Sequence, residues 1–324
     1  MLLNNFSLAQ FQFTISPIDK IILPKYKGST FRGGFGHVFK KVVCVSLYKD
    51  CSECLLKEKC IYSYVFETPP PKDTTIMRKY PYAPHPFIIE PPIGEKTEFN
   101  ENDDIDFGLT LIGKAIDYLP YFIFTFNELG KIGLGKGRRK FRLREVKNIY
   151  KNNDTEKESI IYKGYDKILN NKYKILSFKD IINQTKRFPK KERIELQFIT
   201  PTRIKYKNKL ISELEFHILI RNLLRRISLL SYFHCNKELD INFKEVIEKS
   251  KEVTTEDCNL KWYDWERYSH RQENRMSLGG FIGKITFKGN VKEYLPLLFL
   301  GKYTHVGKQT SFGLGKYEMT NKRE

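Results

Sequence analysis

Phe11-Gln12-Phe13-Thr14-Ile15 alternates apolar and polar side chains, the period of a strand with one buried face. A Pro/Lys/Gly loop follows, and Ser29 stands in N-cap position for a helix predicted over Thr30 to about Val43. Phe31, Phe35, Val38, Phe39 and Val42 form its apolar stripe. Gly33, Gly34 and Gly36 are costly inside a helix, roughly 1 kcal/mol each relative to Ala, so something must approach this turn closely. His37 falls on the side away from the stripe, with Gly33 and Lys40 beside it. The same order recurs later. Ile194 to Thr200 reads as a strand, and a basic loop leads to a helix for which Ser212 and Glu215 supply a capping box. Its stripe is Phe216, Leu219, Ile220, Leu223, Leu224, Ile227 and Leu230.

Further pairs repeat in register. Phe107 to Gly113 and Phe281 to Gly289 are strand-like, and Tyr118-Leu119-Pro120 and Tyr294-Leu295-Pro296 follow them. Glycine-rich basic stretches come next, Gly130 to Arg144 and Gly301 to Tyr317, neither of which contains an acid before Arg144 or Tyr317. The offsets are 174 between the phenylalanines, 176 between the prolines and 174 between Gly133 and Gly307. Near-constant offsets read as a whole domain present twice. Strand, helix, strands, helix, glycine loop, strand is the order of a βαββαβ unit, so the expected class is α+β with tandem ferredoxin-like domains. The expected boundaries are residues 1–145 and 193–324, with 146–192 a Lys/Asn-rich linker carrying a hairpin.

Charge narrows the partner. Net charge is +19 with a pI near 9.5, which predicts a polyanion, nucleic acid ahead of membrane. No apolar run approaches the ~18 residues of a membrane span, and the first residues lack a basic, then apolar, export pattern. A cytoplasmic protein is the expectation. Glycines that dense let successive N–H groups form an anion-binding concavity, with lysines adding charge. The candidate RNA contacts are Arg32, Lys40, Lys136, Arg138, Arg139, Lys140, Arg271, Gly307, Lys308, Gly313, Gly315 and Lys316. Cys44, Cys51, Cys54 and Cys60 have the spacing C-x6-C-x2-C-x5-C, whose inner pair suits a chelating knuckle. Structural zinc is the first reading; an iron–sulfur cluster or unligated thiols are the others.

The segments FRGGFGHVFKKVVC, CSECLLKEKCIYSYVFE and LTLIGKAIDYLPYFIFTFNELGKIGLGKGRRKFRL resemble a bacterial nuclease family. These are the CRISPR precursor-RNA-processing endoribonucleases of the RAMP superfamily, in the branch with a four-cysteine insertion. WYDWERYSHRQENRMSLGGFIG and HVGKQTSFGLG in the second half carry the same likeness. The resemblance implies cleavage of CRISPR repeat RNA into guides without a catalytic metal, by 2′-OH attack leaving a 2′,3′-cyclic phosphate and a 5′-OH. It also implies antiviral defence as the setting and a CRISPR effector complex as a partner. His37 matches the first-helix region where many members keep a catalytic histidine. His305 opens the C-terminal glycine loop with Lys308 three residues on, so His37, His305 and Lys308 are the catalytic candidates. Two other readings stay open: a non-catalytic RNA-binding member of an effector complex, and a zinc-knuckle nucleic-acid adaptor.

Overall fold

The computed structural model describes residues 3–46, 50, 51, 53–71, 74, 76, 77, 82–152, 155–188, 192–264, 266–269 and 274–320. The chain divides into two compact units. One comprises Asn5–Leu176 with Leu230–Lys237; the other is built chiefly from Ser177–Leu229 and Glu238 onward.

In the N-terminal unit, β1 (Ser7–Pro17) leads to α1 (Gly28–Val43), β2 (Phe87–Glu90), β3 (Ile105–Ile112), α2 (Leu119–Ile132), β4 (Phe141–Asn152) and β5 (Thr155–Lys163). The antiparallel sheet runs β2-β3-β1-β4-β5. Its first four strands have the ferredoxin-like order, each helix crossing between strands that a third separates. Phe13 of β1 pairs with Phe107 of β3 and stacks on it, with ring centroids 5.2 Å apart. Phe31, Phe35 and Phe39 of α1 and Phe122 and Phe126 of α2 complete an aromatic core that is almost wholly buried. That burial overrides the helix-breaking glycines. A Cβ on Gly36 would lie 2.0 Å from the Phe66 ring, so this glycine makes room for a core side chain.

The C-terminal unit repeats the plan. Here β6 (Arg193–Thr202), the hairpin β7 (Lys205–Tyr206) and β8 (Lys209–Leu210), α4 (Phe216–Cys235, counted in this unit up to Leu229), α5 (Phe243–Lys249), β9 (Thr254–Tyr263), β10 (Gly280–Lys288), α6 (Leu295–Thr304) and β11 (Tyr317–Thr320) follow in order. The sheet order β9-β10-β6-β11 is again ferredoxin-like, and every pairing is antiparallel. The shared Tyr-Leu-Pro signal does the same work twice. A short 3-10 turn ends at Tyr118 or Tyr294, which caps the next helix, with proline in the first turn where its missing N–H costs nothing.

Several local expectations are corrected. Ser29 lies inside α1; Lys27 is its N-cap, without a side-chain cap bond. Ser212 and Glu215 form no capping box at the helix start, because α4 begins at Phe216 and the Glu215 carbonyl accepts from the Ile218 and Leu219 amides. The box with both bonds present is Ser177 with Asp180, opening a helix inside the stretch expected to be linker, Phe178–Arg187 (α3). Phe178 and Ile181 bury its apolar side. Residues 146–176 form part of the N-terminal unit: Asn148 is buried, its amide donating to the Gln10 carbonyl at 3.0 Å. Among the described residues, no helix is long and apolar enough to cross a membrane.

Candidate active site and nucleic-acid interface

His37 is exposed on α1, on the side away from the phenylalanines. Its imidazole is held below the usual histidine range by partial burial first, then by the positive charges of Lys41 and Arg138. Lys41 lies one helical turn beyond His37 and so shares its face. Arg138 arrives from the loop after α2. Gly133 caps that helix at φ 97°, and Leu134 and Arg139 exchange backbone bonds of 2.8 and 3.0 Å, closing the loop at its base. Buried Leu134 anchors it, while Lys136, Arg138, Arg139 and Lys140 are exposed. The result is an imidazole biased toward its neutral form by burial and by two cations. Such a group can accept a proton at neutral pH, beside charges suited to an anionic transition state.

Part of the expected cradle of amides in the two loops is already engaged within the fold. In the first, the Lys136 amide donates to the Ile22 carbonyl at 3.1 Å and the Arg138 amide to that of Gly135 at 3.2 Å. In the second, the Lys308 amide donates to Arg203 at 2.9 Å and the Gly315 amide to Pro201 at 3.1 Å, while that of Lys316 donates to Thr200 Oγ1 at 2.9 Å. Gly313 and Gly315 are buried, and a Cβ on Gly315 would meet the Val306 carbonyl at 1.9 Å. Gly315 thus serves close packing of the loop on its own unit, and the Gly313 carbonyl accepts from Thr200 Oγ1 at 2.8 Å. Exposed side-chain charge stands beside these loops as well.

His305 is 0% exposed, and its Nδ1–H donates to the Leu314 carbonyl at 3.0 Å. In this conformation it ties the loop together and does not face a phosphate from the surface. Its backbone explains the position. His305 caps α6 at φ 58°, ψ 170°, where Gly133 caps α2 at φ 97°, ψ 161°. The structural counterpart of Gly133 is therefore His305, and not Gly307 as the sequence offset suggests. The slip arises because α6 has 10 residues and α2 has 14, about one turn less.

Lys308 is exposed. Partial burial, then Lys205 and the Arg203 and Arg225 guanidiniums, hold its ammonium below the usual lysine range. A second cluster of cations thus stands on the C-terminal unit. Arg32 is half-buried, its guanidinium carbon 3.9 Å from the Phe66 ring centroid and its Nη2 3.4 Å from His85 Nε2. It packs on the ring cluster of Phe66, His85 and Phe87. The Lys40 ammonium stands 5.7 Å from the Tyr62 ring. Arg271 lies outside the described residues.

Cys44, Cys51, Cys54 and Cys60 are free and half-buried. Burial pushes the Cys51 thiol up; Lys40 opposes this, and Glu67, Cys44 and Cys60 add to the rise. Among the described residues, no three His, Cys, Asp or Glu side chains are grouped as a metal site. Sequence reasoning also passed over Lys41, Arg203, Lys205 and Arg225. Lys41 was legible as the i+4 neighbour of His37; the other three meet only through the fold.

Residues 6–173 match the family model AF_1859_N, an N-terminal domain, and residues 196–317 match that of the CRISPR-associated endoribonuclease Cas6. An uncharacterized protein of Archaeoglobus fulgidus is 26% identical over 304 residues, with 92% of each chain covered. A solved Cas6 product complex is similar at a TM-score of 0.56 and 16% identity, covering 97% of this chain and 100% of that one. Thermus thermophilus Cas6 is similar at 0.52 and 13%, covering 97% and 99%. A partial Cas6-RT-Cas1–Cas2 complex is similar at 0.58 and 13%, covering 97% of this chain and 46% of that one. At these identities the solved structures share the fold.

Proposed function

The chain belongs to the Cas6-type CRISPR RNA-processing proteins, with the AF_1859_N domain at its front, and from that premise we propose that it cuts repeat RNA by metal-independent 2′-hydroxyl attack. The observation that carries this is His37, biased toward its neutral form and flanked by Lys41 and Arg138. The neutral imidazole takes the proton of the ribose 2′-OH upstream of the scissile phosphate. The 2′-oxygen bonds to phosphorus, and Lys41 and Arg138 stabilise the added negative charge of the phosphorane. The bond from phosphorus to the 5′-oxygen then breaks. That oxygen takes a proton from solvent, leaving a 2′,3′-cyclic phosphate on one product and a 5′-OH on the other. The nucleophile is part of the substrate, so the atoms balance without a bound hydroxide.

On this reading Lys136, Arg138, Arg139, Lys140 and Lys308 hold RNA phosphates, and His305 keeps the C-terminal loop in shape. The partner is precursor CRISPR RNA, and the guides produced would pass to an effector complex. The test is single-turnover cleavage of repeat RNA in EDTA with mapping of both product ends. His37→Ala should slow the reaction by about 10² to 10⁴, the range for lost acid–base catalysis, with affinity kept within a few-fold. A 2′-deoxy ribose upstream of the cut should stop cleavage by the unmodified protein. Robust cutting of that deoxy RNA, or full activity in His37→Ala, would overturn the mechanism.

A further inference from the structure

The hairpin β7–β8 is a separate chemical surface of the C-terminal unit. Lys205 pairs with Leu210 and Tyr206 with Lys209. Lys207 and Asn208 turn the chain at φ 46° and 65°, both left-handed, as a tight two-residue hairpin turn requires. The turn leaves Lys205 and Lys207 exposed on either side of a half-buried Tyr206.

Helix α4 supplies the neighbours. His217 and Arg221 stand four residues apart on one face. The Tyr206 ring meets His217 edge to face at 5.8 Å between centroids. The Lys207 ammonium lies 5.5 Å and the Arg221 guanidinium 5.9 Å from the Tyr206 centroid. Lys308 joins the group, close enough to Lys205 for the two cations to repel. Two acids stand at the edge of this group, Glu215 at 3.5 Å from His217 Nδ1 and Glu248 paired with Lys251 at 2.7 Å. Among the described residues, no carboxylate is within ion-pair distance of Lys205, Lys207, Arg221 or Lys308.

An aromatic ring flanked by cations that have no ion-pair partner among the described residues matches the two needs of single-stranded nucleic acid. A base requires a flat π surface, and the phosphates on either side require positive charge. An acidic peptide would use the charges and leave the ring without purpose. We infer that Tyr206, with Lys205, Lys207 and Arg221, is a stacking site for an unpaired nucleotide of the RNA, separate from the cleavage chemistry around His37. The inference takes its ligand class from the endoribonuclease reading but needs no cleavage to be tested.

The experiment is fluorescence anisotropy of the full chain with a labelled oligouridylate of about 12 nucleotides, inside the span of one single-strand-binding module. Tyr206→Leu should weaken binding about tenfold to a hundredfold, the range for one lost base stack, with the salt slope unchanged. Tyr206→Phe should bind as the unmodified protein does, because the ring face is kept. Lys207→Ala should instead reduce the salt slope by about 0.7, one phosphate's share for a single strand. A blunt RNA duplex should be nearly indifferent to Tyr206→Leu. Equal binding by Tyr206→Leu, or polyglutamate competing as well as the oligonucleotide, would overturn the inference. His37→Ala should bind the oligonucleotide normally. Failure of the cleavage mechanism and failure of this site are therefore read separately.

Discussion

Two glycines three residues apart on α1 should respond in opposite directions to the same methyl group. A Cβ on Gly36 would lie 2.0, 2.4 and 2.9 Å from three atoms of the Phe66 ring, so the ring must move by more than an ångström. That ring is nearly buried, stacks on Tyr62 at 5.3 Å and carries the Arg32 guanidinium at 3.9 Å. Overpacking of this kind costs about 1–3 kcal/mol, and a displaced cation–π contact costs up to about 2 more. The gain of roughly 1 kcal/mol from replacing a helical glycine offsets only part. Gly36→Ala should lower Tm by several degrees, at about 2–4 °C per kcal/mol for a unit of this size. Among the described residues nothing lies within 4 Å of a Cβ added at Gly33, so only the helix gain remains and Tm should rise by about 2–4 °C. Gly33 nevertheless sits exposed one turn before His37, where no atom of the described residues requires a glycine. RNA crossing that turn would. Gly33→Ala should therefore be more stable yet bind and cut repeat RNA more weakly. Differential scanning fluorimetry and single-turnover cleavage are the assays. A Tm that falls in Gly33→Ala refutes the packing argument; unchanged cleavage in that variant takes the RNA path off this turn.

The pH dependence follows from the direction of the His37 shift. A base must be neutral to act, so kcat/KM should hold through pH 6.5 and fall only as pH drops through a value below it. Removing a repelling charge raises the histidine pKa, and Lys41→Ala should move that acid limb upward; a limb that stays put separates Lys41 from His37. The same sign holds for stability: the contribution of a depressed histidine is present above its unfolded value and lost as pH falls toward the folded one, which His37→Gln should abolish in acid-melting curves. Replacing Arg138, Arg139 and Lys140 together by alanine should reduce the slope of log affinity against log salt by about 2 for single-stranded RNA, and an unchanged slope removes this loop from the RNA path. Metal content tests the cysteine segment by native mass spectrometry of protein purified without chelators. If the four thiolates close on zinc, one ion per chain is found and Cys54→Ser loses it with a lower Tm; metal-free protein ends that expectation.

Local pattern alone determined much of the architecture. The alternation at Phe11–Ile15, the phenylalanine stripe of α1 and the two Tyr-Leu-Pro helix starts each depend on neighbours within a turn or two, so they identified the repeated βαββαβ order. His37 was legible for the same reason, since its side of the helix follows from residue spacing. Long-range packing decided the rest. Gly36 reads as an anomaly until Phe66 arrives from thirty residues away to fill the space. The Lys136, Gly315 and Lys308 amides find acceptors at Ile22, Pro201 and Arg203, far along the chain, so glycine content could not reveal that these were already engaged. His305 looked like a surface base because its neighbours in sequence are small and basic; the fold buries it against Leu314. The collar around Tyr206 joins a hairpin, a helix and a loop a hundred residues further on, and charges so separated become one surface only when the sheet brings them together.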